Sequence, residues 1–223
     1  MKLLITGGGS EEPIDNVRSV TNFSTGKTSA FLADYFAENG DDVTEIVSER
    51  CVKPEKARVI LYKTFSDLKN ALENECKTGN YDAIIHAAAV SDYSPDTVEV
   101  DGKVYKAGSV PKISSGSELV IRMKKNPKLV DSLKTWAGIG TKVVAFKLTN
   151  CASADERLIA VNKIFNANAE KSLSPDFIVS NDKSEITTDR HPCKIYKNDG
   201  TVCMTADDLI GLADALSKIL KKS

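Results

Sequence analysis

The sequence predicts an α/β fold: a Rossmann-like, doubly wound, mostly parallel sheet that carries one antiparallel excursion. Three observations lead there. Apolar β-type runs alternate with helical patterns from the first residues onward. The run Tyr81 to Val90 (YDAIIHAAAV) is apolar throughout and closes on small residues. It reads as a central parallel strand whose carboxyl end lies close to something. Between Ser91 and Met123 the pattern changes to strict alternation around an Asp101-Gly102 turn, a strong hairpin signal. In open α/β sheets ligands bind at the carboxyl ends of the strands, so chemistry is sought there.

Each element has its own signal. Leu3-Leu4-Ile5 is an apolar strand that runs into Gly7, Gly8 and Gly9. Phe31, Leu32, Tyr35 and Phe36 recur at helical spacing until Asn39-Gly40 stops them. Val43 to Val47 and Val59 to Tyr62 read as strands. Ser66 caps the next helix, with Thr64 as a rival cap. Glu118 to Met123 alternates again after the hairpin, so the excursion is a lid or an oligomer contact. Pro127 opens a helix at its first turn, with Leu129, Val130 and Leu133 on one face. Lys142 to Leu148 is a strand, Ser153 to Leu173 a long helix, and Phe177 to Ser180 a strand ending in Asn181-Asp182. Cys193 to Met204 forms a hairpin around Asn198-Asp199-Gly200, and Thr205 caps a last helix ending in Lys221-Lys222. No repeat or linker interrupts the chain, so residues 1–223 read as one domain.

Composition excludes several classes. A net charge of −1 with no basic stripe argues against nucleic-acid binding. The first apolar run is too short for a signal peptide, and none approaches the roughly 18 residues of a membrane span. The five cysteines form no C-x-x-C pair, and only His86 and His191 accompany them. A zinc site is not expected, and the odd, scattered thiols suit a reducing cytoplasm.

The stretch from Leu3 to Leu32 organises the rest. Its loop of about 17 residues far exceeds the usual 2–6 of such connections. A long loop dense in special side chains points to function. G-x-G-x-x-G fails because Glu12 stands where the last glycine belongs. Gly26-Lys27-Thr28 resembles the end of a Walker A loop, but Thr21 occupies that motif's first glycine position and no strand directly precedes it. Taken singly, the remaining polar residues have ordinary readings. Arg18 suits a surface ion pair, Asn22 a helix start, His86 core packing, Asp92 a turn and Lys112 a solvated side chain.

Together and in order they resemble the phosphopantothenate–cysteine ligase family, the synthetase half of bacterial flavoprotein-linked coenzyme A enzymes. The segment Gly8-Gly9-Ser10-Glu11-Glu12-Pro13-Ile14-Asp15-Asn16-Val17-Arg18-Ser19-Val20-Thr21-Asn22-Phe23-Ser24-Thr25-Gly26 is similar to its long first motif. Ala87-Ala88-Ala89-Val90-Ser91-Asp92-Tyr93, Lys125-Asn126-Pro127-Lys128-Leu129, Val144-Ala145-Phe146 and Ser180-Asn181-Asp182 follow in family order. There are departures. The family's K-x-K-K is Lys112-Ile113-Ser114-Ser115, Thr149 replaces a glutamate, and Lys171 alone matches a usual lysine pair.

The resemblance implies a ligase that activates a carboxylate with a nucleotide and then couples it to the amine of cysteine. It implies nucleotide binding by Ala88, Asp92, Lys112, Pro127, Lys128, Leu129, Val130, Phe146 and Lys171, to which the strand running into glycines adds the backbone N–H groups of Gly8 and Gly9. It implies 4'-phosphopantothenate binding by Arg18, Asn22, Ala88, Ala89 and Asp92, with Arg18 reaching across a homodimer. Asn22 and Lys112 are the implied catalytic residues. Mg²⁺ and CTP are expected, with ATP the alternative nucleotide; metal ligands are not assigned. Because Met1 begins directly at the first strand, a stand-alone synthetase without flavin is expected. Two rivals share the fold. A short-chain NAD(P)-dependent reductase needs Tyr-x-x-x-Lys, and no tyrosine here has that lysine. A non-catalytic nucleotide sensor is disfavoured by retention of Asn22 and Lys112.

Overall fold

The computed structural model describes residues 1–114, 118–168 and 170–221; the side chain of Lys171 lies outside that description. The strands are β1 (Lys2–Gly7), β2 (Glu11–Pro13), β3 (Ser19–Thr21), β4 (Asp42–Ser48), β5 (Arg58–Tyr62), β6 (Ala83–His86), β7 (Tyr93–Val100), β8 (Lys103–Lys106), β9 (Leu119–Lys125), β10 (Lys142–Thr149), β11 (Phe177–Asp182), β12 (Cys193–Lys197) and β13 (Val202–Ala206). The helices are α1 (Lys27–Glu38), α2 (Phe65–Thr78), α3 (Leu133–Ala137), α4 (Ala154–Phe165) and α5 (Leu209–Lys221).

The main sheet runs β13-β12-β11-β10-β6-β1-β4-β5. From β5 to β11 every neighbouring pair is parallel, and β12 and β13 add an antiparallel edge. The chain winds outward from β1 through β4 and β5, then returns to β6 on the other side of β1. The switch point therefore lies between β1 and β6, where a doubly wound sheet opens its ligand crevice.

Strand alternation sends the apolar side chains to two cores. Leu3, Ile5, Ile85, Val144 and Val179 pack under α1 and α5 with Phe36 and Leu216. Leu4, Ile46, Ile84 and Val143 pack under α2 and α3 with Leu68, Leu72 and Leu133. Ala145, Ile178 and Tyr196 meet Val161 and Phe165 of α4 on that second face.

The excursion is a separate sheet, β8-β7-β9. Its inner face, with Val98, Val110 and Ile113, buries Ile14 of the β2–β3 loop. It is thus docked on its own chain's opening loop, because alternation gives it one apolar face to cover.

Several sequence expectations are corrected. The β2–β3 hairpin falls inside what reads as loop, since three-residue strands give little periodicity. β6 ends at His86, not Val90: the small residues after it bond to the glycine loop instead of continuing the ladder. Thr64, not Ser66, caps α2, because Asp67 completes a reciprocal capping box with it. A 3-10 turn (Leu129–Ser132) precedes α3, so Pro127 stands outside the helix. α4 ends at Phe165, where the Ser174 hydroxyl donates to the Phe165 carbonyl at 2.6 Å. Asp208 accepts from the Gly211 N–H at 2.7 Å at the start of α5, and Thr205 belongs to β13.

Candidate functional site

The switch point is stitched by backbone. The Thr6 carbonyl accepts from the Ala87 N–H, the Thr6 hydroxyl from Ala88, the Gly8 carbonyl from Ala89 and the Ser10 hydroxyl from Ser91. The glycine loop and the Ala87–Ser91 segment thus run side by side as one surface. Gly8 has φ 81°, and a Cβ there would lie 2.7 Å from Ser48 and 2.8 Å from the Cys51 sulfur. A Cβ on Gly9 would lie 2.3 Å from the Asn22 carbonyl oxygen. Only glycine admits this crossing of three backbones.

Asn22 reaches this surface from the far end of the opening loop. Its amide donates to the carbonyls of Ala89 at 3.2 Å and Val90 at 3.1 Å. Both NH2 protons point at the wall, and the side chain remains exposed, so its carbonyl oxygen is the group left for a ligand. Gly8, Gly9, Asn22, Ala88 and Ala89 are therefore brought together although most of the contacts span over sixty residues.

Asp92, Pro127 and Lys128 form the adjoining rim. The Asn126 N–H donates to the Asp92 carbonyl, and its amide donates to the Ser91 carbonyl and the Ser94 hydroxyl. Lys128 pairs with Asp92, both half exposed. Such a pair adds little stability, which leaves Asp92 free to exchange it for a ligand. Leu129 is buried in the core with Leu68 and Leu72, and Val130 packs against it, so these two can offer a ligand chiefly backbone. Phe146 lies half-buried on the α1 and α5 face of β10.

Arg18 and Lys112 belong to a second group, at the base of the excursion. Asp15 is the hub: it accepts from the backbone N–H groups of Val17, Arg18 and Ile113 and from the Arg18 guanidinium. Burial alone would raise its carboxyl; the Ile113, Val17 and Arg18 N–H donors and the Arg18 charge outweigh that and bring it to about 2. Arg18 also donates to the Ile113 carbonyl at 3.3 and 3.2 Å. Lys112 is therefore fixed next to Arg18 in space, while its own side chain stands exposed without an ion pair among the described residues. Ser115 lies outside the described residues, as does the Lys171 side chain.

Sequence reasoning missed the residues that hold these parts. Glu12 is buried and ties the Phe65 N–H of α2 to the Ser94 hydroxyl of β7. Asp182 takes Thr149, the backbone of Cys151 and Ala152, and Ser184; the Ser184 and Thr149 hydroxyls lead in holding its carboxyl far below the usual range. Burial pushes the His86 imidazole down to about 4, and it faces the Thr6 hydroxyl at 2.8 Å. The lowered pKa leaves the ring neutral near pH 7, with its Nδ1 sharing a hydrogen bond with the Thr6 hydroxyl. Glu12 lies inside β2, while His86 and Asp182 are the last residues of β6 and β11; a polar residue closing an apolar strand was the sequence signal for those two.

Among the described residues no group of three or more His, Cys, Asp or Glu is placed to hold a metal. No helix of the described residues is long and apolar enough to cross a membrane.

Comparison with known proteins places the chain in a family. The description "DNA/pantothenate metabolism flavoprotein C-terminal domain" matches residues 1–221. The coenzyme A biosynthesis bifunctional protein CoaBC of Thermococcus kodakarensis is 32% identical over 162 residues, covering 73% of this chain and 38% of that protein. The Escherichia coli CoaBC is 28% identical over 205 residues, covering 90% and 46% respectively. The chain thus spans less than half the length of these curated relatives. A Streptococcus pneumoniae structure, described as the DNA/pantothenate metabolism flavoprotein, superposes with a TM-score of 0.85 at 27% identity over 99% of this chain and 98% of that one. A Cab2 variant in complex with phosphopantothenate-cysteine shares the fold, with a TM-score of 0.69 at 17% identity over 99% and 89% of the two chains. The chain belongs to the family of the DNA/pantothenate metabolism flavoprotein C-terminal domain.

Proposed function

We propose that this chain joins 4'-phosphopantothenate to L-cysteine, giving phosphopantothenoylcysteine for coenzyme A synthesis. The observation that carries this reading is Asn22 seated on Ala89 and Val90 beside the glycine crossing, at the sheet's switch point. Membership in the family and the ligand named for the Cab2 variant support it.

In the first step a substrate carboxylate oxygen attacks the nucleotide's α-phosphorus and pyrophosphate leaves. This brings anions together: two unit charges about 4 Å apart repel by roughly 4 kcal/mol at an effective dielectric of 20. Lys112 and the N–H groups of Gly8 and Gly9 supply the offsetting charge and donors. Ala88, Asp92, Pro127, Lys128, Phe146 and the backbone of Leu129 and Val130 frame the nucleotide, and Asp92 accepts from its base or ribose. In the second step the cysteine amine attacks the acyl carbonyl, the nucleoside monophosphate leaves, and the amine gives up its proton. The Asn22 amide orients the acyl intermediate without adding charge.

The nucleotide is CTP in preference to ATP, and Mg²⁺, an ion that relies largely on substrate phosphates and water where few protein carboxylates are available, would offset triphosphate charge when bound with it. No flavin and no nucleic acid take part. Residues 1–223 act as one cytoplasmic synthetase unit. Two copies pair through the outer face of the β8-β7-β9 sheet, where Val104 and Val120 are exposed. Arg18, preset by Asp15, then grips the substrate phosphate in the neighbouring copy.

The test supplies 4'-phosphopantothenate, cysteine and either CTP or ATP, and follows pyrophosphate and the amide product. Product formation with faster turnover on CTP is expected. No product with either nucleotide overturns the reading, and equal turnover overturns the CTP preference. A fully active monomer by light scattering overturns the shared site.

A further inference from the structure

A second cleft lies at the antiparallel edge of the sheet, on the face that α4 covers. Its volume is about 490 Å³, within the ~300–1,000 Å³ of small-molecule sites. Its floor is a row of side chains across three strands. Ser180 of β11 stands directly opposite Lys194 of β12, which stands opposite Thr205 of β13. Directly opposed side chains have Cβ atoms about 5 Å apart, so the row spans roughly 10 Å. Tyr196, two residues beyond Lys194, shares the face. All four line the cleft.

Two of these are unusual. Ser180 and Tyr196 are 5% and 7% exposed, yet neither hydroxyl forms a hydrogen bond with a described residue. Neither oxygen is among the solvent-shielded unpaired atoms of the protein, so both hydroxyls open to water in the same cleft and are available to a ligand. The charges beside them are mostly committed. Arg157 forks onto Glu185 at 2.9 and 2.7 Å and gives its Nε to the Ala152 carbonyl. Lys194 forms no ion pair with another described residue, and Asp207 is the one acid on the lining outside the Arg157–Glu185 fork. Lys194 acts on Glu185 only at a distance, and the two cations and two acids of the lining balance, so the cleft disfavours a polyphosphate and leaves Lys194 as the one cation able to meet a single anionic group.

The cleft is separate from the switch point. Ser180 and Asn181 alternate across the sheet, and Asn181 shares the face of Val179 and Phe146. We propose that the cleft is a second ligand site, taking the phosphate of a small phosphate monoester. Lys194 is the counter-ion, and the hydroxyls of Ser180, Thr205 and Tyr196 donate to the phosphate oxygens. Three hydroxyls around one ammonium match a tetrahedral acceptor better than a planar carboxylate.

Backbone ¹⁵N NMR of the full chain tests this by titrating inorganic phosphate against chloride at constant ionic strength. The amides of Ser180, Lys194 and Thr205 should shift with one saturable curve in the millimolar range, and chloride should leave them unmoved. Lys194→Gln, at an exposed position, should weaken that curve at least tenfold while shifts at Gly8 and Gly9 stay as in wild type. Tyr196→Phe keeps the ring in its core and should weaken it about threefold. Three results overturn the proposal: no saturable shift at these amides, an unchanged curve in Lys194→Gln, or shifts that follow protein concentration without phosphate, which assign the cleft to a contact between chains.

Discussion

Glu45 offers the sharpest physical prediction. It lies on β4, fully buried, directly behind the glycine crossing: a Cβ on Gly7 would sit 2.6 Å from its Oε1 and 1.8 Å from the Ser29 hydroxyl. Among the described residues neither carboxyl oxygen has a partner in good hydrogen-bond geometry, because the adjacent Ser29 hydroxyl donates to the Gly26 carbonyl at 2.9 Å. Tyr62 of β5, on the other face of the sheet, donates to the Gly7 carbonyl at 3.0 Å. Burial pushes the Glu45 carboxyl up from 4.5 to about 7, with nearby Ser29 pulling it down and Asp34 of α1 adding repulsion. At 1.36 kcal/mol per pKa unit the difference is worth about 3 kcal/mol. The folded state holds its proton more tightly than the unfolded chain. The stability is therefore complete below about pH 4.5, falls as pH rises, and is lost above about pH 7. Glu45→Gln keeps the shape and removes the titration. Below about pH 4 the two proteins should melt alike. At pH 8 the variant should melt higher by roughly 6–12 °C, taking 2–4 °C per kcal/mol for a chain of this size. Calorimetry at several pH values reads this. Parallel pH profiles for both proteins would refute the assignment.

Other residues carry their own predictions. Asn22→Ala should slow amide formation more than nucleotide transfer, so the acyl-nucleotide accumulates in quenched samples read by mass spectrometry. Lys112→Gln should lower single-turnover pyrophosphate release by roughly 100-fold, with melting unchanged because the side chain is exposed; a loss under about threefold makes it an ordinary solvated lysine. Gly9→Ala must displace Asn22, whose carbonyl oxygen it would meet at 2.3 Å, so activity should fall further than Tm. Glu12→Gln should destabilise by about 1–3 kcal/mol, because the charged acceptor of both Phe65 and Ser94 is weakened; chemical denaturation measures it.

The fold was legible wherever burial imposes a period. β1, β4, β6, β10 and β11 follow from apolar runs, and the β7–β8 hairpin from Asp101-Gly102, where Asp101 and Gly102 take φ 47° and 78°. Boundaries set by a single side chain were not. The choice of Thr64 over Ser66 depends on where Asp67 points, and the end of α4 on a hydroxyl from Ser174. Within the site, Asn22 and the Ala87–Ala89 segment could be named in advance, yet only the fold joins them. The support from Asp15, Glu12 and Asp182 was illegible, since a buried carboxylate reads in sequence like any surface acid. The excursion was read as a lid or a subunit contact. Its inner face is docked on Ile14 of the same chain, which leaves only its outer face for a partner.

The most direct measurement omits cysteine. Enzyme, 4'-phosphopantothenate and CTP are mixed, quenched, and analysed by phosphorus NMR and mass spectrometry. The account predicts an acyl-nucleotide and pyrophosphate in equal amounts, with the acyl-nucleotide consumed once cysteine is added. Release of inorganic phosphate with a nucleoside diphosphate, or no phosphorus product before cysteine arrives, would contradict nucleotidyl activation at the β1–β6 switch point.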